Sequence, residues 1–265
     1  MLIHCLSVLR KRRFCRRKNF PIMLKTLLTL FTLSLSTALS AQVIDDDILD
    51  SLVSDVQQGK PVENVIIDKP AEPVQHRILV FGDEQLQGIG PWLYNHAWAT
   101  GFPCFTSIWQ ESTIKRWAYS ADLQYLIRKV KPTFIIVCLG THDQGEADLS
   151  TREAAVKAIM RDIGDIPFAW IGPLAVKSKK DDRTIADLIQ QLVGADRFYD
   201  SYNLRLARED ELHPTKEGCQ RWVEGFVAWL DGGEAAHPIH FVTPTTSVPF
   251  KNCETHKPSY QGKRR

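Results

Sequence analysis

Apolar positions along this chain fall into two rhythms that alternate. Short continuous apolar runs close on glycine: Ile78 to Phe81 ends at Gly82, and Phe134 to Leu139 ends at Gly140. Such runs read as strands buried on both faces of a parallel sheet. Cys104 to Trp109, Phe168 to Ile171 and Arg197 to Tyr199 read as three further strands, the last short and edge-like. Between them the spacing becomes helical. Leu86, Ile89, Leu93 and Ala97 share one face of Gln85 to Thr100, with an interruption expected near Gly88, Gly90 and Pro91. Ser112-Thr113 is expected to cap a single helix carrying Ile114, Trp117, Leu123, Leu126, Ile127 and Val130. Helices follow at Thr151 to Ile163 and Thr184 to Val193, with Lys177 to Asp182 a solvated loop before the second. Thr215 caps the last helix, with Trp222, Val223, Phe226, Val227 and Leu230. Strand–helix alternation of this kind predicts a three-layer α/β/α sandwich around a parallel sheet of about five strands.

The pattern also divides the chain. Residues 77–231 form the predicted domain. Before it, residues 42–76 hold a short amphipathic helix (Ile48, Leu49, Leu52, Val53, Val56) and a Pro-rich linker, Lys69 to Pro73. After it, residues 232–265 carry Pro238, Pro244, Pro249 and Pro258, which predicts a partly extended or disordered tail with a basic end. Residues 1–41 read as a basic lead and a secretory signal. Lys25, the apolar run Leu27 to Leu35 and a small-residue stretch to Ala41 follow Met23, which reads as the start; an extended basic region from Met1 is the alternative. Export to a secreted or periplasmic location is expected. The apolar run is too short to span a membrane comfortably, so no anchor is expected after cleavage.

Charge changes the picture once the lead is set aside. Residues 1–41 hold eight of the 33 basic residues and no acid, leaving 25 basic against 31 acidic groups, a net of −6. A mildly acidic domain gives no reason to expect nucleic acid as a partner. Cys104, Cys138, Cys219 and Cys253 follow the signal, without Cys-x-x-Cys spacing for zinc. One disulfide is compatible with an oxidising compartment, but the sequence does not assign it.

Ligands in such sheets bind beyond the carboxyl ends of the strands. Three polar stretches fall there: Gly82-Asp83-Glu84, Gly140-Thr141-His142-Asp143, and Asp210-Glu211-Leu212-His213 before the last helix. In order and spacing they resemble the blocks of the SGNH/GDSL hydrolase superfamily, over roughly Arg77 to Leu230. The resemblance implies an SGNH-type, flavodoxin-like fold. It implies His213 as a base oriented by Asp210, and Gly140, Thr141, His142 and Asp143 as one wall of an oxyanion site. It also implies a small acyl ester or an acylated glycan as the ligand. Two working residues differ: the nucleophile position is Glu84, and the position of the oxyanion Asn is His142.

Glu84 opposes serine-type chemistry. A carboxylate is a weak acyl nucleophile, and it puts negative charge where an oxyanion must gain its own. An ion pair between Glu84 and His213 is expected, and would keep His213 protonated and unfit as a base. Ser112 lies near the same end of the sheet, where the second block would fall; it reads as a helix cap, with a ligand-site or nucleophile role as the alternative. Glu84, His142 and His213 are all metal-ligand types, yet no metal spacing accompanies them and no cofactor is implied. The expected reading is a member degenerate for ester hydrolysis that binds an acyl or glycan ligand. An active esterase with an unconventional nucleophile and a non-catalytic scaffold are the alternatives.

Overall fold

The computed structural model describes residues 75–179, 183–257, 259 and 262. The signal segment, the leader helix and linker, part of the Lys177 to Asp182 loop and the basic end of the tail lie outside the described residues.

The elements run β1 (Ile78–Gly82), α1 (Gln85–Thr100), β2 (Cys104–Trp109), α2 (Ile114–Tyr119), α3 (Asp122–Val130), β3 (Phe134–Cys138), α4 (Leu149–Ile163), β4 (Phe168–Ile171), α5 (Thr184–Val193), β5 (Phe198–Tyr199), α6 (Lys216–Asp231) and β6 (Cys253–His256). The strands form one parallel sheet in the order β5-β4-β3-β1-β2-β6. The chain leaves β1 toward β2 on one side and returns to β3 on the other. The carboxyl ends of β1 and β3 therefore flank the point where strand order reverses, the usual place for a ligand.

Strand side chains alternate between two cores. Ile78, Val80, Phe134, Ile136, Ala169 and Ile171 pack with Leu86, Leu93, Trp222 and Phe226, under α1 and α6. Leu79, Phe81, Ile135, Val137, Phe168 and Trp170 pack with Trp117, Leu126, Ile159 and Ile189, under α2 to α5. A continuous apolar strand is the sequence signature of this arrangement, because both faces are covered. Gly82 ends β1 opposite Cys138, where an added Cβ would stand 2.0 Å from the Cys138 carbonyl oxygen. Close approach of β3 thus demands glycine at this turn.

Three expectations need correction. The tail is ordered through its first two dozen residues: Ala235, Ile239 and Phe241 are buried, Phe250 packs edge-on to Tyr94 at 5.6 Å, and β6 adds a sixth strand beside β2. Its apolar residues are too widely spaced for either periodic template, so only docking on the domain reveals them. Second, α1 is not interrupted. Gly88 packs against Cys219 of α6, where a Cβ would stand 2.5 Å from its sulfur, and Gly90 packs against Phe250. These glycines serve close packing, and Pro91 is accommodated inside the helix. Third, the helix over Ile114 to Val130 is two helices. Ser120 breaks it with an extended backbone, and its hydroxyl accepts from the Asp122 N–H at 3.2 Å.

Candidate functional site at the carboxyl edge of the sheet

Glu84 follows β1 at the first turn of α1, and His142 lies in a short 3-10 turn after β3. That turn opens on Gly140, whose φ of 124° is left to glycine. The imidazole Nε2 of His142 donates to Oε1 of Glu84 in a close, largely buried ion pair, with 17% and 11% of the two side chains exposed. The other carboxylate oxygen, Oε2, accepts the backbone N–H of Glu111 at 2.8 Å. Two donors from two different loops therefore converge on one carboxylate.

The electrostatics follow from that convergence. Burial alone would raise the Glu84 pKa, but His142 and backbone N–H groups outweigh it and hold the value below the ordinary one. His142 is raised in turn, first by its hydrogen bond to Glu84. Asp83, fully buried beside them, is raised to about 7 by desolvation and then by the Glu84 charge; His142, the Gln85 N–H and the Thr141 hydroxyl oppose this. Both shifts favour the charged forms, anionic Glu84 and cationic His142.

This has a pH signature. His142 sits above its ordinary 6.5, so the pair's contribution to stability is complete below that value and is lost as pH rises through the folded one. Asp83 acts in the same direction, because its carboxyl is tolerated best while protonated. The thermal midpoint should fall as pH is raised from about 6 to about 8, and fall less steeply in Glu84→Gln. Equal slopes for wild type and Glu84→Gln in a pH series of melts would contradict this.

The Asp210–His213 pair is intact. Asp210 Oδ2 accepts from Nδ1 of His213 at 2.8 Å, and Oδ1 accepts the N–H groups of Leu212 and His213 at 2.7 Å each. His213, then the backbone N–H of His213 and that of Leu212, pull the Asp210 pKa down to about 2. Among the described residues Nε2 of His213 has no partner. The imidazole lines a groove of about 620 Å³ between α1 and α6, with Gln87, Pro91, Trp92, Lys216 and Ser247. Gln85, next to Glu84, donates to the Leu212 carbonyl at 2.9 Å and so ties the two halves of the site together.

The expected Glu84–His213 ion pair is therefore absent: the partner of Glu84 is His142, and that of His213 is Asp210. Of the Gly140–Asp143 stretch, only His142 meets the Glu84 carboxylate. Thr141 is buried beside Asp83. Asp143 is fully buried in an ion pair with Arg152 at 2.5 Å and accepts the Ile114 N–H at 3.0 Å, so its role is to hold α2 and α4 against this loop. Ser112 is fully buried and accepts the Trp117 indole N–H at 2.9 Å, which removes it as a ligand-site residue or nucleophile. Thr113, not Ser112, caps α2.

Sequence reasoning missed Glu111. Its working atom is a backbone nitrogen, which no side-chain type marks. Only its position, in the stretch where the second block would fall, pointed to it. It holds a left-handed backbone, φ 53°, unusual for a residue with a side chain. Trp117 and Trp109 are core, Trp92 walls the groove, and Trp98 is 53% exposed. Among the described residues no three His, Cys, Asp or Glu side chains gather as a metal cage.

Fold and site together define an α/β/α domain with an oriented histidine at the carboxyl edge of its sheet, next to a donor pair closed on a resident carboxylate. No protein-family model matches the chain, and no curated protein does. Solved structures to which it is similar include a family 3 carbohydrate esterase from Clostridium thermocellum, at 14% identity over 58% of this chain and 94% of that one, TM-score 0.47. Another is a lipolytic protein of the G-D-S-L family from Desulfitobacterium hafniense DCB-2, at 17% identity over 57% and 97%, TM-score 0.41. A third is the acetyl xylan esterase AlAXEase, at 12% identity over 57% and 97%, TM-score 0.42. Likeness at this level says nothing about activity. Among the described residues no helix is long and apolar enough to cross a membrane.

Proposed function

We propose that this chain is an SGNH/GDSL hydrolase-like protein that has lost serine-type ester hydrolysis and binds an acyl or glycan ligand in the groove beside His213. One observation carries the reading. The Glu111 N–H and His142, which on this reading would serve an oxyanion, are both engaged by the Glu84 carboxylate. A substrate carbonyl entering there would have to displace a buried ion pair, and its developing charge would face a fixed anion. Trp92 and the polar groups of Gln87, Lys216 and Ser247 suit a ligand with both apolar and hydroxylated faces, as an acylated sugar has.

Wild-type protein should therefore resist a fluorophosphonate probe and leave small acetyl esters intact, while a glycan-binding screen returns a ligand whose affinity drops in Trp92→Ala. The intact Asp210–His213 pair favours a second reading, an active esterase with another nucleophile. Turnover of a small acetyl ester by wild type, abolished in His213→Ala and unchanged in Glu84→Gln, would select it.

The Met23–Ala41 segment supports export to a secreted or periplasmic location. The mature chain is expected to begin near Ala41 or Gln42. N-terminal sequencing that finds Met1 or Met23 on the mature protein would remove this part of the reading.

A further inference from the structure

The loop that carries His213 is a tight hairpin. Arg208 and Pro214 pair as an antiparallel bridge, the Glu209 N–H donates to the His213 carbonyl at 2.9 Å, and Arg208 Nη1 donates to the Glu211 carbonyl at 2.9 Å. His213 lines the α1/α6 groove. Arg208, Asp210 and Glu211 instead wall a second, larger groove of about 840 Å³, whose other side includes Lys177, Tyr202 and Arg205. The Asp210–His213 pair is thus the partition between two grooves.

Charge in this second groove runs against the rest of the chain. Beyond residue 41 acids outnumber bases by 31 to 25. Several cations elsewhere are engaged by acids: Arg183 by Asp187 and Asp200, Arg152 by Asp143 and Glu146, Lys257 by Glu111. Lys177 and Arg205 are exposed, and neither has a carboxylate partner among the described residues. Arg208, half-buried, gives one N–H to a carbonyl and is otherwise open to the groove. Two acids share the lining, Asp210, whose oxygens are held by His213 and the neighbouring N–H groups, and the exposed Glu211, so the three cations leave the groove with a net charge of +1. Two guanidiniums and an ammonium facing one cavity are the donor set that holds a phosphate or carboxylate, because their N–H forks match its oxygens.

We propose that this groove is a subsite for an anionic group, phosphate or carboxylate, on the ligand whose other part reaches His213. It rests on the reading of the His213 groove as a ligand site and extends it to a charged ligand. An anion bound here stands across Asp210 from the imidazole, so occupancy also registers at His213.

The test titrates the full chain with inorganic phosphate and, separately, with trigalacturonate, read by calorimetry and by the His213 imidazole NMR signals. At least one probe should bind, more weakly as NaCl is raised, and shift the His213 signals. Lys177→Gln combined with Arg205→Gln should weaken binding on the order of tenfold. Lys251→Gln, on the tail, should leave it unchanged. Binding of phosphate alone assigns the group to phosphate, and binding of trigalacturonate alone to a carboxylated sugar. Failure of both probes to bind, or wild-type affinity in the double variant, overturns the proposal. Such a failure is separable from failure of the proposed function, because probe labelling of a Glu84→Ser variant uses none of these cations.

Discussion

Glu84→Ser is expected to be labelled by a fluorophosphonate probe and to hydrolyse a small acetyl ester slowly, where wild type does neither. The change removes the carboxylate that engages the Glu111 N–H and His142, so both donors become available to an oxyanion. It supplies a hydroxyl at the turn after β1, and Gln85 already ties that turn to the loop in which Asp210 holds His213 by Nδ1. The rate should stay well below that of a competent enzyme, because an imidazole replaces the amide that the resemblance implies; loss of one oxyanion donor typically costs about 10²–10³-fold. Glu84→Ser with His142→Asn should therefore exceed Glu84→Ser alone. Gel-based labelling and initial rates decide the matter. If both variants fold, by circular dichroism, and neither is labelled, the Asp210–His213 pair is not positioned to activate residue 84.

Asp143→Ala is expected to be the most destabilising substitution near the site, by about 3–5 kcal/mol in urea unfolding. It strands Arg152, whose side chain is only 8% exposed, and leaves the Ile114 N–H without its acceptor at the start of α2. Glu146, also paired with Arg152, will hold part of that charge and keep the loss toward the lower end. Arg152→Met in the same chain should recover part of the loss, since no uncompensated buried cation remains. A change under about 1 kcal/mol, the size of a surface ion pair, would mean that the carboxylate is not anchoring these helices.

Much of the domain was legible because its signals are local. The runs Ile78–Phe81 and Phe134–Leu139 are apolar throughout, which two covered faces require. Thr215 before the last helix is a residue type that its capping position favours. The Asp210–His213 pair was legible through the resemblance; in the structure Asp210 accepts from the His213 ring and from the Leu212 and His213 N–H groups.

What the sequence could not settle were choices among distant partners. Glu84, His142 and His213 are all polar residues at one sheet edge, and charge alone allows Glu84 to pair with either histidine. The strand order decided it: β1 and β3 are neighbours, so the turn after β3 brings His142 onto Glu84, while Gln85 and Asp210 hold the loop of His213 at the α1/α6 groove. The same holds for Ser112 and Asp143, which look like site residues by position and are removed from it by Trp117 and Arg152. Tail residues Ile239, Phe241 and Phe250 carry no periodicity because they dock singly, Phe241 and Phe250 against His96 and Tyr94 of α1 and Ile239 beside Leu230 of α6. Local patterning by itself determined most of the elements and their order. Only tertiary packing decided that His142 closes on the chain's own Glu84 carboxylate, because a contact across 58 residues leaves no local trace.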